Sequence, residues 1–422
     1  MTTLLDGLRV LEFAGQYTGV GGRLLAELGG DVVVVEPPTG ASTRHRPPFV
    51  DDTRDPDRSL RWWAENVGKR SVTVDPDDPA EIERLRALIR TVDVVIADDI
   101  SVADGRIRHH EVAQDNPGVI WVAVTPFGRD SARASDPTTD LTMMAGAGPV
   151  WNCGYDDHSI PPIHGGGDQA TNIAGHYCAI GALAALAHRD RTGRGQLVDV
   201  NVTAACNVTS EQTTYNWLVA GETCVRQTGR HAYFLPSSPV QVRCADGAYA
   251  TTGILPRRPT EFADMLAWLR DLDLEEEFPE AVFLEMAAGR EAPLDIAKIG
   301  VDDETTAILS AAREAMGLIA SRLPAHEFFT SGQRRGFPVG AVLTVDEAFE
   351  DEHVVARGFP LPVDHPELDR TVRYPGRPYH LHTADTPVPA RPPLVGEHDR
   401  LLYDPATSKV ASRESVSATT DQ

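Results

Sequence analysis

The sequence predicts an α/β fold, and three observations carry that prediction. Short apolar, β-branched runs recur through the first half of the chain. Stretches with helical spacing of apolar residues separate them. Gly, Pro and Asp mark nearly every change from one pattern to the other.

The elements follow in order. Leu8–Phe13 reads as a buried strand and Gly21–Leu28 as a helix. Asp31–Glu36, the run DVVVVE between Gly-Gly and Pro-Pro, has the unbroken apolar character of a strand in a parallel sheet. Ser71–Asp75 supplies another strand. Pro79–Arg90 is helical with Asp78 as its cap, and Val92–Ala97 and Val119–Thr125 are further strands. Strand, helix, strand in this rhythm means βαβ units. A helix over Ile173–His188 is made mostly of small residues, so it must pack very closely against a neighbour. A basic Gly-rich turn ends it, Leu197–Asn201 resumes a strand, and a helix runs from Thr203 to about Ala220. Residues 225–325 change to acidic helices such as Pro259–Asp271 and Asp302–Leu323. Gly336–Leu343 and Glu347–Arg357 return to the α/β style, and a Ser- and Thr-rich tail from about Asp404 is expected to be disordered. The expected division is 1–220, 225–325, 330–403 and the tail 404–422.

Composition narrows the function. At 422 residues, 41% apolar and 24% charged, the chain is an ordinary globular protein able to bury a large core. No apolar run suits a membrane span and the start lacks a signal-peptide pattern, so a cytoplasmic protein is expected. Five scattered cysteines without CxxC spacing predict reduced thiols, and no metal site is expected. A net charge of −23 opposes nucleic acid and anionic membranes as partners. Against that background two basic loops stand out: Arg44-His45-Arg46, and Asn66 to Ser71 with Lys69 and Arg70. Together they would make a phosphate cradle, although each alone reads equally as a solvated turn. The run GQYTGVGG after the first strand departs from the dinucleotide fingerprint, and Tyr17 would crowd a pyrophosphate.

One loop invites a catalytic reading. Gly165-Gly166-Gly167 precedes Asp168 at the start of the small-residue helix, and glycines let a ligand approach the backbone. Asp168 is either a helix cap or a reactive carboxylate. His164 could act as a base but has no partner visible in the sequence. His176, His365 and His398 read as structural, and Asp156, Asp157 and His158 are too close together to share one ion.

Several segments together resemble the family III CoA-transferases, a group that also contains the α-methylacyl-CoA racemases. They are LLDGLRVLEFAGQYTGVGGRLLAELGGDVVVVEPPTG, NVGKRSVTVD, IGALAALAHRDRTGRGQLVDV, GFPVGAVLTVDEAFEDEHVVARGF, HPELDRTVRYPGRPYHL and RPPLVGEHDRLL, in the family's order. The resemblance implies a Rossmann-like large domain formed by both chain ends, a smaller inserted α+β domain and an intertwined dimer. It implies coenzyme A as the transferred group, with phosphates near Asn66, Lys69 and Arg70 and near the loop of Arg44 and Arg46. Gln16, Tyr17 and Thr18 would line its pantetheine end. It also exposes a departure. The transferases' catalytic Asp falls on Thr171, three residues after Asp168, and the racemases' His-Asp pair falls on Thr139 and Asp140. The family's glycine-rich flap is not recognisable between 225 and 260. The expected function is CoA transfer between an acyl-CoA and a carboxylic acid, with Asp168 in the nucleophile's place. The alternatives are a non-catalytic CoA-binding subunit of a heterodimer with a paralogous chain and, more remotely, a racemase.

Overall fold

A computed structural model describes residues 3–404 apart from positions 100, 236, 254, 296, 297, 386 and 387. The tail beyond Asp404 lies outside the described residues. Two compact units emerge. The first comprises 1–151, 163–215 and 352–422, and the second 152–162 and 216–351.

In the first unit β1 (Arg9–Phe13) leads to α1 (Gly19–Glu27), β2 (Asp31–Glu36), α2 (Leu60–Asn66), β3 (Arg70–Thr73), α3 (Pro79–Ile89) and β4 (Val94–Ala97). A small hairpin of β5 (Ser101–Val102) and β6 (Ile107–Arg108) follows. Next come α4 (His109–Asp115), β7 (Ile120–Thr125), α5 (Asp140–Ala147), α6 (Gln169–Thr192), β8 (Leu197–Asn201) and α7 (Val202–Val208). α8 (Glu211–Ala220) leads out of this unit. Six strands form one parallel sheet in the order β3-β2-β1-β4-β7-β8. The order reverses between β1 and β4, which opens a crevice at the carboxyl ends of the strands, where α/β proteins bind ligands.

Period-2 alternation places the core on both faces. Val10, Val32, Ile96 and Val122 pack with α1 and α6, whereas Leu11, Val33, Val95 and Trp121 pack with α3. Asp78 caps α3 by accepting the Ala80 N–H at 2.8 Å. α6 is long and apolar enough to cross a membrane by length and composition, and half of that span is buried.

The second unit carries β9 (Gln241–Arg243), β10 (Tyr249–Thr251), α9 (Pro259–Asp271), α10 (Ala281–Ala288), α11 (Asp303–Arg322), α12 (Ala325–Arg334), β11 (Gly340–Val342) and α13 (Val345–Glu350). β11 pairs antiparallel with β10, so the GFPVGAVL segment belongs to this unit's own sheet and does not complete the large one. Trp268, stacked at 5.4 Å on Phe328 and 5.8 Å on Phe337, centres its core. α14 (Glu352–Ala356) and the hairpin β12 (Pro360–His365) with β13 (Arg370–Pro375) return to the first unit.

Small residues of α6 allow its close contact with α1. A Cβ on Gly175 would lie 2.4 Å from Cβ of Val20, and one on Gly21 would lie 2.5 Å from Sγ of Cys178. The backbones of α1 and α6 therefore approach as only glycine permits. Gly175→Ala should destabilise the fold by about 1–3 kcal/mol through overpacking, in spite of alanine's better helix propensity. Gly146→Ala in α5, where a Cβ meets nothing within 4 Å, is the control and should be neutral or stabilising. Urea unfolding of both variants checks the pair.

Candidate active site

The expected phosphate cradle is not assembled. Lys69 is buried, and its Nζ donates to both carboxylate oxygens of Glu12 at 2.8 Å, to the Gly19 carbonyl at 2.7 Å and to Oδ1 of Asn66 at 2.9 Å. Asn66 spends its amide N–H on the Trp62 carbonyl at 3.0 Å. Arg44 is equally enclosed. It makes a bidentate pair with Glu36 at 2.7 Å on each side, bonds Asp57 at 2.7 Å and lies over the Trp62 ring at 3.6 Å. Arg70 pairs with Asp31. An ammonium with four acceptors and no exposure has nothing left for a phosphate. These cations hold the fold, and only Arg46 of the set stays exposed.

Gln16, Tyr17 and Thr18 form the turn between β1 and α1. The Thr18 hydroxyl accepts the Gly15 N–H and donates to the Phe13 carbonyl, both at 2.9 Å. Gln16 donates from Nε2 to the Tyr17 hydroxyl at 3.0 Å, and that hydroxyl meets Thr138 at the same distance. Burial raises the Tyr17 pKa, and the negative charge of Asp140 adds to the rise.

The start of α6 is arranged differently from either reading of Asp168. Asp168 stands at the N-cap position, yet its side chain caps nothing. Its carboxylate, about one-third exposed, is held by Nη1 of Arg61 at 2.6 Å. The cap comes from another helix: Oδ1 of Asp140 in α5 accepts the Ala170 N–H at 2.7 Å. Oδ2 of Asp140 lies 3.1 Å from Nε2 of His164, off the hydrogen-bonding axis, so both buried atoms keep an unmet bond among the described residues. Thr171 is buried one residue along, and its hydroxyl donates to the Gln16 carbonyl at 3.3 Å. Glu65 stands behind Arg61 at 3.4 Å. Burial pushes Glu65 up to about 7, against the opposing pull of Arg61 and then Lys69.

A crevice of about 1150 Å³ opens at the carboxyl ends of β1, β2, β4 and β7. Ala14, Glu36, Asp98, Arg108, His109, His110 and Arg129 are among its walls. Burial lowers the His109 pKa, with Arg129 and His110 contributing, and burial raises that of Asp98. Both shifts disfavour the charged form; Arg108 and Arg129 supply the crevice's guanidinium groups, beside the carboxylates of Glu36, Asp99 and Asp104. Nε of Arg129 is buried without a hydrogen-bond partner among the described residues. A Cβ on Gly15 would sit 3.1 Å from Asp98, so the Gly15–Thr18 turn stands between this crevice and Thr171. Among the described residues no cluster of three or more His, Cys, Asp or Glu could hold a metal ion.

Comparison with known proteins settles the family. The sequence pattern of CoA-transferase family III matches residues 5–399. The chain belongs to CoA-transferase family III. It is 28% identical over 93% of its length to the succinyl-CoA:(R)-benzylsuccinate CoA-transferase subunit BbsE of Thauera aromatica, covering 92% of that protein. It is 28% identical to the succinyl-CoA:mesaconate CoA-transferase of Haloarcula hispanica, covering 95% of this chain and 96% of that one. A CAIB/BAIF family protein from Brucella suis shares the fold with a TM-score of 0.76, at 24% identity and over 96% of this chain and 99% of that chain.

This family III CoA-transferase thus has a buried Thr171 where the resemblance implied an Asp, with two carboxylates, Asp140 and Asp168, beside it. Sequence reading missed Arg61, the Asp140–His164 pair and the Arg108–Arg129 crevice. Arg61 carried one local signal, its i,i+4 spacing to Glu65 on α2. The other two depend on contacts across tens of residues.

Glu65 makes the site's charge testable. Its folded-state value lies above its ordinary value of 4.5, so the folded chain binds more protons between that value and about 7, and stability falls as pH rises through this window. Glu65→Gln removes the titration. Relative to the parent, the variant should gain stability from pH 5 to pH 8, by about 3 kcal/mol at most. Chemical denaturation at both pH values measures it, and a pH-independent difference would mean that Arg61 keeps Glu65 ionised throughout.

Proposed function

We propose that this chain transfers coenzyme A from an acyl-CoA thioester to a carboxylic acid, with Asp168 as the attacking carboxylate. The observation that carries this reading is the state of Asp168. It is a partly exposed carboxylate released from capping, oriented by Arg61 and preceded by three glycines that leave its approach open. Attack on the thioester carbonyl breaks the C–S bond and expels CoA as a thiolate, leaving a mixed anhydride on Asp168. The thiolate attacks the aspartyl carbonyl, releases the donor acid and forms an aspartyl-CoA thioester. The acceptor carboxylate then attacks that thioester, and the returning thiolate takes the acceptor's acyl group, which restores Asp168. No proton is gained or lost in the cycle. The backbone N–H groups of the Gly165–Gln169 segment are the donors nearest the developing oxyanion.

CoA itself is assigned to the crevice at the strand ends, with Arg108 and Arg129 facing its phosphates. Guanidinium groups suit phosphate geometry, and Arg129 keeps an unused buried donor. The likeness to enzymes named for succinyl-CoA supports a dicarboxylic acid as one of the two acids. The active form is proposed to be a dimer, either of two such chains or with a paralogous subunit.

Asp168→Ala should abolish transfer while leaving CoA affinity within about twofold. Hydroxylamine added to the parent enzyme with acyl-CoA should leave a hydroxamate on Asp168, read by peptide mass spectrometry. A modified carboxylate elsewhere, or activity that arises only on adding a second subunit, would remove Asp168 from the role. Arg129→Ala should weaken CoA binding by about 1.5–3 kcal/mol in calorimetry, the worth of a hydrogen bond to a charged group. Lys69→Met should instead lower thermal stability, by about 3–5 kcal/mol, because it strands Glu12 in the interior. The reverse pattern would return CoA to the Lys69 loop.

A further inference from the structure

Transfer of CoA between two carboxylates moves no proton, yet the start of α6 holds a pair of groups suited to moving one. His164 Nε2 sits 3.1 Å from Oδ2 of Asp140, and the other oxygen of Asp140 is pinned by the Ala170 N–H at 2.7 Å. The imidazole is mostly enclosed, at 18% exposure, and its Nδ1 makes no hydrogen bond among the described residues. The Nε2–Oδ2 contact is close but misaligned, which is common in unliganded catalytic pairs that tighten when substrate binds. Burial, and after it the charge of Asp140, raises the pKa of Tyr17 in the β1–α1 turn and of Cys206 in α7. A carboxylate fixed by one oxygen, with its free oxygen beside an imidazole, is an arrangement that can orient a histidine as a general base. A loop tether alone would not need the ring's second nitrogen left open.

We propose that the Asp140–His164 pair gives this protein a second activity, hydrolysis of the acyl-CoA thioester when no acceptor acid is bound. The proposal rests on the reading that the thioester reaches the start of α6. Nδ1 of His164 takes a proton from water as the water oxygen bonds to the thioester carbon, and Asp140 stabilises the imidazolium. The tetrahedral oxyanion collapses, the C–S bond breaks, and CoA leaves as a thiolate that takes the proton back from the imidazolium. Thioester and water become carboxylic acid and CoA thiol, and the pair is restored.

The test uses the full chain with butyryl-CoA, without acceptor acid, in water enriched in ¹⁸O. Thiol release should exceed the uncatalysed rate and place one ¹⁸O in the butyrate. His164→Asn should cut that release by about 100-fold or more with CoA affinity unchanged. Asp140→Asn, which keeps an oxygen for the Ala170 N–H, should cut kcat for release about tenfold with KM for butyryl-CoA unchanged. Calorimetry with CoA runs alongside. If CoA does not bind, the proposed function and this activity fall together. Binding without release, or release that survives His164→Asn, overturns the hydrolysis alone. So does ¹⁸O in the Asp168 side chain after a single turnover, because the water would then be attacking an anhydride. Deuterium at C2 of butyryl-CoA after incubation in heavy water, without thiol release, would overturn it in favour of proton transfer at carbon.

Discussion

The buried ion pair between Glu12 and Lys69 is the constraint on which the rest of the first unit depends. Glu12 is the fourth of five residues in the parallel sheet's first strand, and Lys69 stands just before the third. Burial pushes Glu12 up and Lys69 down, and each is opposed mainly by the other's charge. Such a pair is affordable only when every donor and acceptor finds a partner. Lys69 therefore also takes the Gly19 carbonyl and Asn66, which ties the first turn of α1 and the end of α2 to the sheet. Gly22 is part of the same arrangement, since a Cβ there would fall 1.8 Å from Oε2 of Glu12. The glycines after β1, which depart from the dinucleotide fingerprint, include one that makes room for a carboxylate.

From that centre a line of charges runs outward to the site. Glu65 senses Arg61, Lys69, Glu12 and Asp168 in its titration, and a Cβ on Gly19 would press against its Oε2 at 2.8 Å. Arg61 is the junction, with Asp168 on Nη1 and Glu65 near Nε, where it keeps a buried and unmet donor. Glu65 and Asp168 therefore share one guanidinium, which joins an interior glutamate to a partly exposed carboxylate.

What could be read from sequence divides by the range of the physics involved. Strands such as Asp31–Glu36 and Leu197–Asn201, and the helix Pro259–Asp271, have the bounds the pattern gave, because alternation, β-branching and caps are local. The helix expected over Ile173–His188 begins four residues earlier, at Gln169, since its first turn is capped from α5 and not by its own neighbour. The stretch expected as one helix from Thr203 to Ala220 breaks into α7 and α8. The cationic loops misled for a reason visible in the composition. With 62 acidic residues against 39 Lys and Arg, carboxylates outnumber cations, and those of Glu12, Glu36, Asp31 and Asp57 come from distant or neighbouring elements to claim Lys69, Arg70 and Arg44. A basic loop in such a chain is more easily a set of satisfied ion pairs than a free anion site.

The start of α6 shows how roles pass among carboxylates that sequence alone cannot tell apart. Asp168 occupies the cap position by sequence, and a cap would have tied its oxygens to the helix's first N–H groups. Asp140 performs that service from α5, using one oxygen, and so frees Asp168 for Arg61. Thr171, where the resemblance implied an Asp, turns its hydroxyl to the Gln16 carbonyl. The helix terminus thus takes its anionic partner from α5, and the carboxylate at its own N-cap position is left to Arg61.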